Sequence, residues 1–141
     1  MNAAIGRVQL RRLDEWNKKR VQNASVYNKL LSDCGEIVTP PQGDSETKPV
    51  YHLYVVKATR RDELRVWLHK NGVQTGVHYP LPIPSQPIYR QMFKYKEGAY
   101  SISEQVSKIC LSLPMYPQLV NEDIEYVCEK IRAFYAETAS P

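Results

Sequence analysis

The chain has 141 residues, 43% of them apolar and 24% charged, enough for one globular domain that buries roughly two-thirds of its unfolded surface and too few for a second. A net charge of +4 is mild and selects no class of partner, and no apolar stretch approaches the roughly 20 residues that cross a bilayer. The first residues carry no basic region followed by an apolar core, so a cytoplasmic location is expected.

From Asn2 to about Asp33, Leu10, Leu13, Trp16, Val21, Ala24, Tyr27 and Leu31 recur mostly every three or four residues, which predicts one long amphipathic helix. Gly35 is expected to cap it in the left-handed conformation, with Lys29 well placed in its last turn. Its start has no capping pattern beyond Asn2, so it reads as cut from something longer. Glu36 to Thr39 suits a short strand, and residues 40–49, rich in Pro, Gly, Asp, Ser and Thr, an exposed loop.

Val50 to Ala58 is β-branched and aromatic, which predicts a strand buried on both faces or nearly so. Thr59 and Asp62 form a capping signal for a helix with a Leu64, Trp67 and Leu68 stripe, ending at Asn71-Gly72. Val73 to Tyr79 is read as the next strand, and Pro80, Pro82, Pro84 and Pro87 force extended or turning backbone after it. A helix from about Ser101, with Glu104 as its box partner, should bury Val106, Ile109 and Cys110. Leu111 to Pro117 reads as a short buried strand with a stiff exit. A last helix opens at Asn121 and buries Ile124, Val127, Ile131 and Phe134. Together these elements predict a two-layer α/β domain over 1–141, a long first helix beside a small sheet with helices.

The three cysteines, Cys34, Cys110 and Cys128, are odd in number and far apart, which suits reduced, buried thiols. His52, His69 and His78 make no short-spaced ligand pair with them or with each other, so no metal is expected. Ser112 has no Gly-x-Ser-x-Gly setting and reads as a hydroxyl bonded to backbone, not a nucleophile.

Four segments in order carry a resemblance: Ala3-Ala4-Ile5-Gly6 running into Gln9 to Trp16, then Tyr51 to Val56, then Gly72-Val73-Gln74-Thr75-Gly76-Val77-His78-Tyr79-Pro80, then Leu111 to Pro117. In that order and spacing they resemble the C-terminal part of the DegT/DnrJ/StrS family of nucleotide-sugar aminotransferases. The resemblance implies the small domain of a fold-type I enzyme dependent on pyridoxal phosphate (PLP). In such an enzyme a large domain holds the cofactor lysine, and the small one closes over the active site at a homodimer interface. It implies amino transfer, usually from glutamate, to a nucleotide-linked keto sugar. His78 and Tyr79 are carried over as substrate-contacting, Tyr51 and His52 as structural.

The family's Schiff-base lysine lies upstream of the region matched, and so do the acid that pairs with the pyridine nitrogen and the ring-stacking residue. No catalytic residue is therefore assigned, Asn2 is given no cofactor contact, and this chain alone is expected to hold no PLP. Lys57, Lys70, Lys94 and Lys96 fall at element ends or loops, where a solvated ammonium is the common case. Faces left open by a missing domain would favour self-association, so a homo-oligomer is expected. The alternative is a non-catalytic interaction module that binds protein or nucleic acid through an exposed docking face or through its basic first helix, with Arg7, Arg11, Arg12, Lys18, Lys19 and Arg20 against Asp14 and Glu15. The balanced charge elsewhere and the lack of a reader motif weigh against nucleic acid.

Overall fold

The computed structural model describes residues 1–138; the last three residues of the expected 1–141 domain lie outside the described residues. The long first helix is two: α1 (Asn2–Leu10) and α2 (Leu13–Leu30). Arg12 departs from helical geometry at φ −103° and ψ −5°, and Asp14 and Glu15 open a fresh first turn where carboxylates favour the positive end of the helix dipole. α1 buries no residue, so no tertiary packing holds it in line with α2. The expected glycine cap is also corrected. α2 ends at Leu31, whose N–H bonds to the Tyr27 carbonyl, and Gly35 is not among the residues of positive φ.

Three strands follow the order β1-β2-β3, with both pairings antiparallel: β1 (Ile37–Val38), β2 (Tyr54–Ala58) and β3 (Cys110–Leu113). β2 starts later than its β-branched run because Tyr51 takes φ +49°, in the left-handed region, and interrupts the extended backbone. It is also buried on one face more than the other. Tyr54, Val56 and Ala58 enter the core while Lys57 is exposed, as alternation along a strand requires.

Thr59 does not cap the next helix, α3 (Arg61–Lys70). Its N–H bonds to the Glu36 carbonyl, and Arg60 at φ +51° takes the N-cap position without a side-chain bond. Gly72 does supply the expected left-handed turn after α3, at φ +76°. Residues 73–79 are not a strand: only Gly76 bridges to β3, through two backbone bonds with Ser112 of 3.0 and 2.8 Å. Glycine inside an extended run weakens pairing, and here the His78 ring folds back over it. Pro87 begins a helix that the proline-breaker argument passed over, α4 (Pro87–Phe93), because its fixed φ suits the first helical position. α5 (Ser101–Ile109) and α6 (Asn121–Thr138) follow within the described residues.

The core lies between the sheet and α2, α3 and α6. Tyr27 stacks on Tyr54 with ring centroids 4.7 Å apart, and Leu31, Leu64, Leu68, Leu111, Ile124 and Ile131 close around them. The polar tips of the aromatic residues packed here find acceptors. Tyr27 donates to the Pro114 carbonyl at 3.1 Å, Tyr54 to Asn28 Oδ1 at 2.6 Å, Trp67 to the Lys130 carbonyl at 2.9 Å and Tyr135 to the Thr59 carbonyl at 2.6 Å. Cys34, Cys110 and Cys128 are free thiols and buried, as expected. Among the described residues no helix is long and apolar enough to cross a membrane, and no cluster of His, Cys, Asp or Glu could hold a metal.

Ile131→Ala, at a position with no exposed surface, should cost about 2–5 kcal/mol in urea denaturation, whereas Val8→Ala on α1 should stay within about 0.5 kcal/mol. Alkaline pH should also weaken the fold. Burial pushes the Cys128 thiol from 9.0 up to about 12, and the buried Tyr27 and Tyr54 hydroxyls are raised for the same reason. An unfolded thiol releases its proton first, so the stability from neutral Cys128 is complete below about pH 9. Above that it falls by up to about 1.4 kcal/mol per pH unit until the native thiol ionises. Urea midpoints measured from pH 8 upward should decline, and Cys128→Ala should flatten the first part of the slope.

Candidate functional site

Alternation along β3 decides what faces the second side of the sheet. Leu111 and Leu113 belong to the core, so Cys110 and Ser112 point the other way, toward α5 and the segment that carries His78. α5 is held there by Arg61, a buried guanidinium that donates to the Ser107 carbonyl at 3.2 Å and the Cys110 carbonyl at 2.8 Å. The turn before α5 is held by Glu104, whose carboxylate accepts from the Gly98 N–H at 2.9 Å and the Tyr100 N–H at 3.4 Å. Glu104 thus does reach back as a box partner, while no hydroxyl completes the box.

Between α5 and the proline-rich segment lies an open groove of about 540 Å³. Its walls are apolar, with Leu81, Ile83, Ile102 and Val106 all exposed and Cys110 at the floor. The expectation that α5 would bury Val106 is corrected on this point: its apolar stripe lines an open cleft, with Ile102 78% exposed, and Cys110 below it is what lies buried. Both His78 and Tyr79 border this groove, their rings edge to face with centroids 5.9 Å apart. The peptide bond joining them is cis.

His78 is held from two sides. Its Nδ1 lies 2.9 Å from the Ser112 hydroxyl, and a Cβ built on Gly76 would fall 2.5 Å from its Cε1. The expectation of a backbone partner for Ser112 is corrected: its side chain bonds to the imidazole. Spacing could not have linked residues 34 positions apart. The other two motif residues lie elsewhere. Tyr51 is buried and donates to the Pro41 carbonyl at 3.0 Å, whereas His52 is exposed at a separate hollow under the 40–49 loop.

A ladder of rings also escaped the sequence reading. Tyr89, Phe93, Tyr95 and Tyr100 follow one another at centroid distances of 6.3, 5.5 and 5.3 Å, joining α4 to the start of α5. Helical spacing of Tyr89 and Phe93 after Pro87 was the available signal.

Apart from the titratable rings of His78 and Tyr79, no ionisable side chain except the Cys110 thiol lines the groove, so it offers no fixed cation to a phosphate. Nor do the residues present fit PLP: every lysine is exposed except Lys130, which is half-buried and paired with Glu129 at 2.8 Å. An imine-forming lysine is held in a preorganised, enclosed pocket, whereas these ammonium groups lie open to solvent or are ion-paired. What the groove does present is apolar wall with a few polar tips, the make-up of a small-molecule site.

The sequence profile of the DegT/DnrJ/EryC1/StrS aminotransferase family matches residues 1–132, and the chain belongs to that family. It is 40% identical over 140 residues to the pleiotropic regulatory protein of Geobacillus stearothermophilus, covering 99% of this chain and 37% of that one. It is 36% identical over 132 residues to the dTDP-3-amino-3,4,6-trideoxy-alpha-D-glucose transaminase of Streptomyces venezuelae, covering 94% and 34% respectively. The crystal structure of S. venezuelae DesV in complex with a ketimine intermediate superposes with a TM-score of 0.88 at 35% identity, over 94% of this chain and 35% of that chain. The chain therefore spans about a third of the length of these relatives, and its fold is that of the corresponding part of a sugar aminotransferase.

Glu104→Ala should free the Gly98 and Tyr100 amides, with faster amide hydrogen exchange at both and a loss of about 1 kcal/mol in urea denaturation.

Proposed function

We propose that this chain acts as the substrate-closing small domain of a PLP-dependent aminotransferase that converts a nucleotide-linked keto sugar to an amino sugar. The observation that carries the reading is the groove itself, apolar, open on one side and bordered by both His78 and Tyr79. A nucleotide sugar brings a diphosphate and a polar ring, and this groove by itself supplies neither the cations for the first nor a full set of polar partners for the second. Half a site is the natural description, with the other half, including the imine-forming lysine, on a large domain. The exposed apolar residues of α1, Ile5, Val8 and Leu10, support the same view, because a helix that exposes apolar side chains and buries none is a surface that another domain or subunit covers. On this reading the chain is inactive alone, binds no PLP, works in a cytoplasmic homo-oligomer, and uses His78 and Tyr79 as donors to substrate oxygens.

A second reading rests on one observation, that α1 exposes Arg7 beside its apolar residues, with Arg11 and Arg12 exposed at its end. It makes the chain an interaction module that binds a protein or polyanion through this helix. It expects salt-sensitive binding that survives loss of His78.

Mixing the chain with the separately expressed lysine-bearing portion of the S. venezuelae transaminase should restore amino transfer to a nucleotide-linked keto sugar. His78→Ala in that assembly should raise KM about tenfold, one hydrogen bond to a charged or polar partner, without changing the PLP absorbance. No activity in the mixture, together with polyanion binding by the chain alone, would select the second reading.

A further inference from the structure

We infer that Ser112 is a positioning residue that fixes the tautomer of His78, so that the imidazole offers a protonated Nε2 to the groove. This rests on the reading of His78 as a substrate-side residue. Three observations carry it.

The first is the hydroxyl's lack of choice. Ser112 is 4% exposed, and among the described residues its Oγ has one hydrogen-bond partner, His78 Nδ1 at 2.9 Å. If Nδ1 carried the ring proton and donated it, the hydroxyl hydrogen would need a second acceptor in a buried setting. No such acceptor bonds to it among the described residues. A buried hydroxyl therefore donates to Nδ1, and a neutral ring that accepts at Nδ1 carries its proton on Nε2.

The second is how rigidly the hydroxyl is held. Ser112 is paired on both sides of β3, with Val55 of β2 on one edge and with Gly76 through two backbone bonds on the other. The sheet therefore places the backbone that carries the hydroxyl, which does not ride on a flexible loop.

The third is Gly76. A methyl group there would meet the imidazole at 2.5 Å from Cε1 and 3.2 Å from Nδ1, so the ring occupies the space that a side chain would fill. The residue that pairs with Ser112 is thus also the one whose bareness lets His78 lie against it. Gly76, Ser112 and the imidazole form one unit, whose outcome is an N–H donor at the edge of the groove. Such a donor suits a sugar hydroxyl, a keto oxygen or a phosphate oxygen, all acceptors, and rejects a group that can only donate.

Histidine-selective 15N labelling of the 141-residue chain tests this, with long-range proton–nitrogen correlation spectra recorded where the rings are neutral. His78→Gln identifies the signal among the three histidines. The expected spectrum has His78 with a bare Nδ1 and a protonated Nε2. Ser112→Ala should leave a mixture of the two tautomers, Ser112→Thr should restore the single one, and Gly76→Ala should lose it while the hydroxyl is still present. A proton on Nδ1 in the unaltered chain, or a Ser112→Ala spectrum identical to it, would overturn the proposal, and the first of these needs no variant to fold. In the reconstituted enzyme Ser112→Ala should raise KM for the nucleotide sugar about twofold, the reciprocal of the fraction of rings that keep the Nε2 proton, with kcat and PLP absorbance held, and Ser112→Thr should recover it. A fixed Nε2 proton combined with no KM change in His78→Ala would instead count against the substrate reading alone.

Discussion

β2 is the strand on which the rest of the structure depends, because it is paired on both edges and carries Tyr54 into the centre of the core. Tyr54 stacks on Tyr27 of α2, and the hydroxyl of Tyr27 reaches the Pro114 carbonyl just beyond β3. One aromatic pair therefore ties a helix, the central strand and the exit of the third strand. Two rings of this size bury a large apolar area, and each polar tip has an acceptor, so no desolvated hydroxyl offsets the gain. The side of the sheet that faces the helices is set by this pair. The opposite side is what remains for chemistry.

That opposite side is unfinished in a specific way. Arg61 fastens α5 to the end of β3, Glu104 fastens the turn before α5, and Ser112 fastens His78, so the framework of the groove is well tied. Its walls are nonetheless apolar and wet, with Ile83 and Ile102 mostly exposed. A tied framework with open apolar walls is what the proposed substrate-closing role calls for. α1 has the same character at the other end of the chain, with no buried residue of its own. Membership of an aminotransferase family, over a third of the length of the relatives, agrees with both features.

The elements with a strong period were legible. α6 buries Ile124, Val127, Ile131 and Phe134 as its spacing requires, and β3 is buried throughout. Where residues follow a period of 3.6 or 2 over a full element, apolar patterning alone selects the geometry. The misreadings cluster where local rules compete. Thr59 is a sound capping residue by type, but its N–H bonds to the Glu36 carbonyl just before β1, and Arg60 turns left-handed in its place. Pro87 has the residue type of a breaker, yet at a first helical position its fixed φ begins a helix. Residues 73–79 had strand composition, yet a folded-back imidazole at Gly76 left one bridge where a ladder was expected.

Sequence alone determined the family resemblance, the two-layer class and the reduced thiols, because each depends on residue type and order along the chain. Tertiary structure decided that α1 and α2 are separate, that α5 shows its apolar stripe to a cleft, and that Ser112 meets His78. The first follows from the absence of any buried residue on α1, and the other two are contacts between segments far apart in sequence, where no local period encodes which side of a strand a distant loop will cover. The hydroxyl at Ser112 could be named from the chain, but its partner could be found only once β3 had turned that residue away from the core.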